Sequence, residues 1–497
     1  MRKTPVLHPF LFALYFIIFI WAYNASEISF SEIVLPIFVS LFFTTASFMF
    51  FRLWLDNVKA AVMTSSLLIL FFSYGHVYNL TQGIRMFSFE IVRHRSLSLL
   101  YICILTSIFI ILKKRKSNFL KITRYLNYVA IILIAIALIN LAGYTIKNTT
   151  WNISNDAGLL SPQALSEKSK FPDVYYIILD GYPRADVLAE AYSYDNSSFI
   201  SMLKSKGFYV ASNSRSNYPM TFLSLASSLN MQYLDKLVEK VGPGAKGKRI
   251  PNEAYQNSLL QRFFKRLGYK TIYFASGWGP TNRNKYADIE FKKFCLLSSE
   301  VISNLVGSTW LQPFSLRFIE MDARKRILDA FAELKNIPDI DGQKFTFVHF
   351  LIPHTPLFKK NGEPLSLSSF SLKAKVSKDD YINQIIFLNK KVEELLDSIL
   401  SKSKVDPIII LQADHGSASD GWQVITKELV QERTAILNAY HLPDNGSRYL
   451  YKSITPVNSF RLIFNSYFGT NYKLLPDRVY FSTYDYPYKF TEEFDNN

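Results

Sequence analysis

Asp414 and His415 stand side by side in IIILQADHGSASD (408–420), shortly after four apolar residues, Ile408 to Leu411, that read as a buried strand. A carboxylate and an imidazole at the end of a core strand form either a polar turn or a site. Asp180 ends a second apolar run in VYYIILDGY (174–182), and His354 follows a third in FLIPHTPLF (350–358). Thr221 opens a helical pattern in NYPMTFLSLASSLN (217–230). Two carboxylates, one imidazole and one hydroxyl can surround a single divalent ion. Such an ion would lower the pKa of the Thr221 hydroxyl and shield an anionic substrate from the acidic site. Thr221 would then attack phosphorus, giving a phospho-threonine that an acceptor relieves. The cation would also explain why a core strand tolerates Asp-His at its end.

Each residue has a plainer role open to it. Asp180-Gly181 fits a strand-ending turn, Thr221 a helix N-cap, and His354 a surface loop. Ser224, Ser227 and Ser228 are rival hydroxyls on the same helix, and Ser224, one turn on, is placed to line a substrate pocket. His349 sits inside a strand pattern and reads as a core histidine. His441 reads as structural, and His8, His76 and His94 lie in or near apolar runs. What favours a site is the coincidence of the four parts at strand ends and a helix start, where N–H groups stabilise anions.

Those ends belong to an alternating pattern. Strands are expected at 174–180, 208–214, 270–276, 345–351 and 408–411, with helices at 221–231, 255–268 and 379–403. Near-continuous apolar strands alternating with helices predict a mostly parallel sheet with helices on both faces, an α/β fold. Ligands of such sheets sit beyond the carboxyl ends of the strands, where these residues fall.

The first 150 residues differ. Apolar runs near 8–24, 32–54, 59–79, 97–112 and 127–146 predict a bundle of about five transmembrane helices over 1–147. The first run could instead be a signal peptide, but WAYNASE is a poor cleavage site. A polar stretch, 148–170, reads as a linker to a catalytic domain at 171–497. Arg2, Lys3, Arg52, Lys59, Lys113, Lys114, Arg115, Lys116, Lys121 and Arg124 fall on one side, against Arg85, Arg93 and Arg95 on the other. The first side is therefore cytoplasmic. Five crossings put the catalytic domain outside, in a multi-pass plasma-membrane protein. Of the formal charge of +16, residues 1–150 carry +10, so the basic balance reports topology and contact with anionic lipid. No basic-aromatic stripe points to nucleic acid. Two cysteines, Cys103 and Cys295, imply folding without disulfides.

VYYIILDGY, NYPMTFLSLASSLN, FLIPHTPLF and LQADHGS, in this order, resemble the sulfatase-like branch of the alkaline phosphatase superfamily, over roughly 170–485. A membrane anchor with an extracytoplasmic catalytic domain is similar to lipoteichoic acid synthases and lipid phosphoethanolamine transferases of bacterial inner membranes. The resemblance implies that Asp180, Thr221, Asp414 and His415 bind one metal, manganese or zinc with magnesium an alternative. Thr221 would be the nucleophile, and His354 would contact the phosphoryl group or the leaving oxygen. It further implies a phospholipid donor of a phospho-alcohol head group and an envelope glycan, lipid or polymer as acceptor, in a periplasmic setting. A sulfuric-ester or phosphodiester hydrolase is the alternative. Established sulfatases use a modified Cys or Ser in Cys/Ser-x-Pro-x-Arg, whereas the position here reads Thr-Phe-Leu-Ser. The phosphoethanolamine transferases carry Glu where this chain has Asp180, and a further His soon after the Asp-His pair. Here none follows His415 until His441, which puts a second metal in doubt.

Overall fold

The computed structural model describes residues 5–25, 28, 30–82, 85–86, 89–90, 92–147, 171–292, 300–355, 357–365, 377–419, 421 and 425–493. The expected linker, 148–170, and Cys295 lie outside them. The chain divides into two compact units, Met1–Thr149 with Cys295–Met321, and Thr150–Phe294 with Asp322–Asn497.

In the first unit each apolar run forms a helix: α1 (His8–Tyr23), α2 (Phe30–Arg52), α3 (Asn57–Thr81), α4 (His94–Lys114) and α5 (Leu120–Lys147). The last four are long and apolar enough to cross a membrane, and α1 is shorter at 16 residues. This is a membrane protein. Several polar groups in the bundle find partners close by, as a lipid medium favours. Asp56 caps α3, accepting from the N–H groups of Val58 (3.1 Å) and Lys59 (3.0 Å). Asn127 on α5 accepts from the N–H groups of Leu7 (3.2 Å) and His8 (2.8 Å) and donates to Pro5 O (2.8 Å). That one amide ties the start of α1 into the bundle.

The second unit is built on a seven-stranded sheet: β1 (Val174–Leu179), β2 (Tyr209–Val210), β3 (Lys270–Phe274), β4 (Ile289–Phe291), β5 (Lys344–Phe350), β6 (Ile408–Gln412) and β7 (Asn438–His441). Its order is β2-β7-β6-β1-β5-β3-β4. The five strands from β6 to β4 are parallel, and β7 runs against its neighbours β6 and β2. Successive residues of β1 serve opposite cores, Tyr175, Ile177 and Leu179 on one face and Val174, Tyr176 and Ile178 on the other. Four helices matter below: α6 (Thr221–Ser228), α7 (Lys378–Lys402), α8 (Lys427–Thr434) and α9 (Pro456–Tyr467). The amphipathic α7 buries Ile385, Leu388, Val392, Leu395 and Ile399 on the first face. The second face receives Phe460, Ile463 and Phe464 of α9. Each such side chain contributes about 1.5–3 kcal/mol of burial.

Some boundaries differ from expectation. The strand expected at 208–214 is paired only at Tyr209–Val210. The helix expected at 255–268 is two helices, Arg249–Gln256 and Leu259–Arg266, because Ser258 caps the second and accepts from the Gln261 N–H. A hairpin, Val479–Phe481 with Thr491–Glu493, was not read from sequence.

Candidate active site

Strands β6, β1 and β5 lie side by side in parallel, with Ile178 paired to both Gln412 and His349. Their carboxyl ends therefore adjoin. Asp180 is the first residue past β1, Asp414 and His415 follow β6 by two and three residues, and His354 lies four past β5. The turn after β1 needs Gly181: its φ is +74°, and an added Cβ would come 3.3 Å from the Cβ of His354. Gly181 N–H donates to Asp414 Oδ1 (3.1 Å), and His354 N–H donates to Asp180 O (3.0 Å). Two backbone N–H groups, one of them donating to the Asp414 carboxylate, thus tie the three strand ends together.

Thr221 is the first residue of α6. Met220 occupies the N-cap position with no side-chain cap, so Thr221 is not the cap. Its Oγ1 lies 3.1 Å from Nε2 of His415. The same Nε2 is 3.4 Å from Asp414 Oδ2 and 3.5 Å from Asp180 Oδ1. Thr221, Asp180, Asp414 and His415 are brought together, all of them buried. The ring of His354 is 5.9 Å from that of His415, centroid to centroid. It is exposed to water. Ser224 is buried one turn along α6, its N–H bonded to Met220 O (2.9 Å).

Three participants were missed from sequence. His349, read as a core histidine, is buried within β5, but its Nε2 faces Asp180 Oδ2 at 3.6 Å and has no hydrogen-bond partner among the described residues. Its Nδ1 meets Thr281 Oγ1 at 2.9 Å. Arg433, at the end of α8, is buried and donates to Pro219 O (2.8 Å), Gly416 O (2.8 Å) and His415 Nε2 (2.8 Å). Since Arg433 donates to Nε2, the His415 proton sits on Nδ1, which donates to Gly416 O (3.0 Å). Glu432 holds the loop after His415, accepting from Ser417 Oγ (2.6 Å), Ser419 N–H (2.6 Å) and Ser419 Oγ (3.0 Å). Gly416 fits this corner because a Cβ would come 2.1 Å from Glu432 O. The only sequence signal for the pair was the charged QERT before an apolar strand. His441, by contrast, bonds Pro407 O (3.0 Å) ahead of β6, at the opposite end of that strand from the site.

The residues present fit a divalent cation. Asp180, His349 and Asp414 offer ligand atoms all within 4.8 Å of one another. Asp180 Oδ1, Asp414 Oδ2 and His349 Nε2 are buried without hydrogen-bond partners among the described residues. Bonds of about 2.0–2.2 Å to one ion imply donor separations of roughly 3.3–3.6 Å, and His349 Nε2 stands 3.6 Å from Asp180 Oδ2. Without a cation the two carboxylates disturb each other. Burial opposes the charge on Asp180, but the imidazoles of His354, His349 and His415 outweigh it and hold that carboxyl below the usual range. Burial and the neighbouring Asp180 push Asp414 up. Burial, reinforced by the Arg433 charge, keeps His415 neutral well below its ordinary pKa.

These shifts set a pH dependence. The raised Asp414 contributes stability to the metal-free fold below its unfolded pKa, and that contribution is lost as pH rises through its folded value. A cation replaces the proton, so metal binding releases one. We expect the rise in melting temperature on adding zinc or manganese to grow as pH is raised from about 5 to 8. A rise independent of pH would refute the replacement of the Asp414 proton by the cation.

A family model described as Sulfatase matches residues 172–460, more than half of the chain. The chain belongs to the sulfatase family. It is an enzyme, with a sulfatase-like α/β domain of the alkaline phosphatase superfamily in addition to its apolar helices. No curated protein matches it. Similar solved structures include the C-terminal periplasmic domain of EcEptC from Escherichia coli in complex with Zn, with 15% identity and TM-score 0.42 over 63% of this chain and 90% of that one. The C-terminal periplasmic domain of phosphoethanolamine transferase EptC from Campylobacter jejuni matches with 13% identity and TM-score 0.38, over 61% and 91%. Phosphonate monoester hydrolase of Agrobacterium radiobacter matches with 13% identity and TM-score 0.38, over 63% and 80%.

Proposed function

We propose that this sulfatase-family enzyme transfers a phospho-alcohol head group from a phospholipid to a cell-envelope acceptor, through a phospho-threonine at Thr221. The observation that carries the reading is the Thr221 hydroxyl, 3.1 Å from His415 Nε2, at the position where sulfatases carry Cys or Ser of Cys/Ser-x-Pro-x-Arg. Asp180, His349, Asp414 and Thr221 would hold the metal, and His415 would join them through Nε2 only on giving up the Arg433 bond to that atom. A bound divalent ion supplies a lowered hydroxyl pKa and offsets phosphate charge.

The side chains divide the remaining work. The Thr221 oxygen forms a bond to phosphorus as the bond to the lipid oxygen breaks. The Asp414 carboxylate is in reach of its proton, whereas His415 Nε2 already accepts from Arg433 and would take it only on losing that bond. His354, exposed to water, meets the phosphoryl group or the leaving oxygen, and Ser224 lines the pocket beyond. An acceptor hydroxyl then attacks the phosphothreonine and frees Thr221. Water in that role would make the enzyme a hydrolase.

We place the catalytic domain outside a plasma membrane, with α1 as a fifth crossing. Lys59 Nζ donates to Arg115 O (2.9 Å), which supports the basic α2–α3 and α4–α5 loops sharing one end of the bundle, the cytoplasmic one.

Mass spectrometry of the full-length enzyme after incubation with mixed phospholipids tests the proposal. We expect an adduct on Thr221 whose mass names the head group, and a labelled head group recovered on an acceptor. Free head group alone would select the hydrolase, and an adduct elsewhere would sink the nucleophile.

A further inference from the structure

The chain leaves the catalytic sheet after β4 and returns to it at β5, and between them lies a stretch that belongs to the membrane unit. The helix Glu300–Ser308 crosses α3 at two glycines: a Cβ on Gly75 would come 2.2 Å from Gly307 O. Such backbone-to-backbone contact through small residues is how helices pack in lipid. Leu305 packs among apolar residues of α1, α2 and α3, beside Phe12, Ile17, Ile33 and Phe72. Trp310 is bonded twice, its N–H to Phe71 O (2.9 Å) and its Nε1–H to Ser98 Oγ (2.9 Å). Its ring stacks on Tyr74 at 5.9 Å and meets Tyr101 edge-on at 5.6 Å. Gln312 donates to Asn79 Oδ1 (3.0 Å). These contacts gather at the end of α3 and the start of α4.

The other side of the same stretch is bare and apolar. Leu311 (47% exposed), Phe314 (63%), Phe318 (53%) and Met321 (52%) recur at helical spacing along the start of the helix Gln312–Leu334. The lipid-facing sides of the membrane helices have the same character, with Phe42, Leu99 and Ile132 as exposed as these four. Trp310 opens the stripe and Arg317 and Lys325 flank it, the residue types that settle at a membrane surface. An exposed apolar stripe marks an interaction surface, and this one, on a segment packed into the membrane unit, has the character of the lipid-facing helix sides.

We propose that residues 300–321 are a second membrane attachment of this enzyme, embedded in the bilayer with Leu311, Phe314, Phe318 and Met321 in contact with acyl chains. The loop between two strands of the catalytic sheet is thereby anchored in lipid independently of the N-terminal connection. The sequence hid this segment because its first helix has nine residues, too few for a spanning run.

Spin labels test it on the full-length protein in lipid nanodiscs, in a Cys103→Ser, Cys295→Ser background. The label would be placed by Phe318→Cys or, separately, Phe314→Cys, with Leu138→Cys on α5 as the lipid standard and Asp339→Cys as the aqueous one. Both new sites are surface positions, so folding is retained. We expect both labels to gain oxygen accessibility and lose accessibility to a water-soluble nickel complex, matching Leu138→Cys. Accessibility to nickel like that of Asp339→Cys would overturn the proposal. So would shielding from both reagents, which would mean that a second copy of the chain covers the stripe.

Discussion

Thr221→Ala is expected to abolish turnover, with a loss on the order of a thousandfold or more, because the group that would bond to phosphorus is gone. The fold should survive. Thr221 is the first residue of α6, the N-cap is Met220, and the change removes one hydroxyl and one methyl from a half-polar pocket. A cost of about 1 kcal/mol is expected, visible as a small drop in melting temperature. Thr221→Ser keeps the oxygen and should retain part of the rate. The measurement is release or transfer of a labelled head group, run beside thermal unfolding of each variant. Full activity in Thr221→Ala would remove the nucleophile and pass the role to Ser224, the next hydroxyl along the helix.

That expectation rests on residues that sequence reasoning could find, and the reason is physical. A buried strand that ends in a carboxylate violates the rule that charges avoid cores, and the violation is visible in a single line of text. Asp180 and the Asp414–His415 pair announce themselves that way, and the apolar runs that become α1 to α5 do so by length. His349 was hidden by the opposite circumstance. Within an apolar strand it looks like any core histidine, and only the register of β5 against β1 reveals that Nε2 faces Asp180. Arg433 and Glu432 were hidden because their work is done on backbone carbonyls and loop hydroxyls, which leave no periodic trace. The stretch 300–321 escaped because hydropathy is read over windows longer than its helix. Residues acting through their own burial are legible, and residues acting through a partner distant in sequence are not.

Arg433 carries the second large effect. Its guanidinium is buried, with three donors committed to Pro219 O, Gly416 O and His415 Nε2. Pro219 lies two residues before Thr221, and Gly416 directly follows His415. One side chain therefore clamps the loop that delivers the nucleophile to the loop that delivers the imidazole. Arg433→Met keeps most of the volume but leaves two buried carbonyls and the ring nitrogen without that donor, each at about 1–3 kcal/mol. A loss of roughly 3 kcal/mol or more in unfolding free energy is expected by chemical denaturation. Turnover should fall about a hundredfold even under conditions where the variant is fully folded, because slackening of the order of an ångström between nucleophile and imidazole is enough for that. Arg433→Lys separates charge from geometry. It keeps a cation in the same place, but an ammonium on a flexible stem cannot reproduce the planar fork that meets three acceptors at once. If the lysine variant matched wild type in both stability and rate, the guanidinium would be serving only as a buried positive charge. If it fell with the methionine variant, the clamp between the two loops is what the site requires.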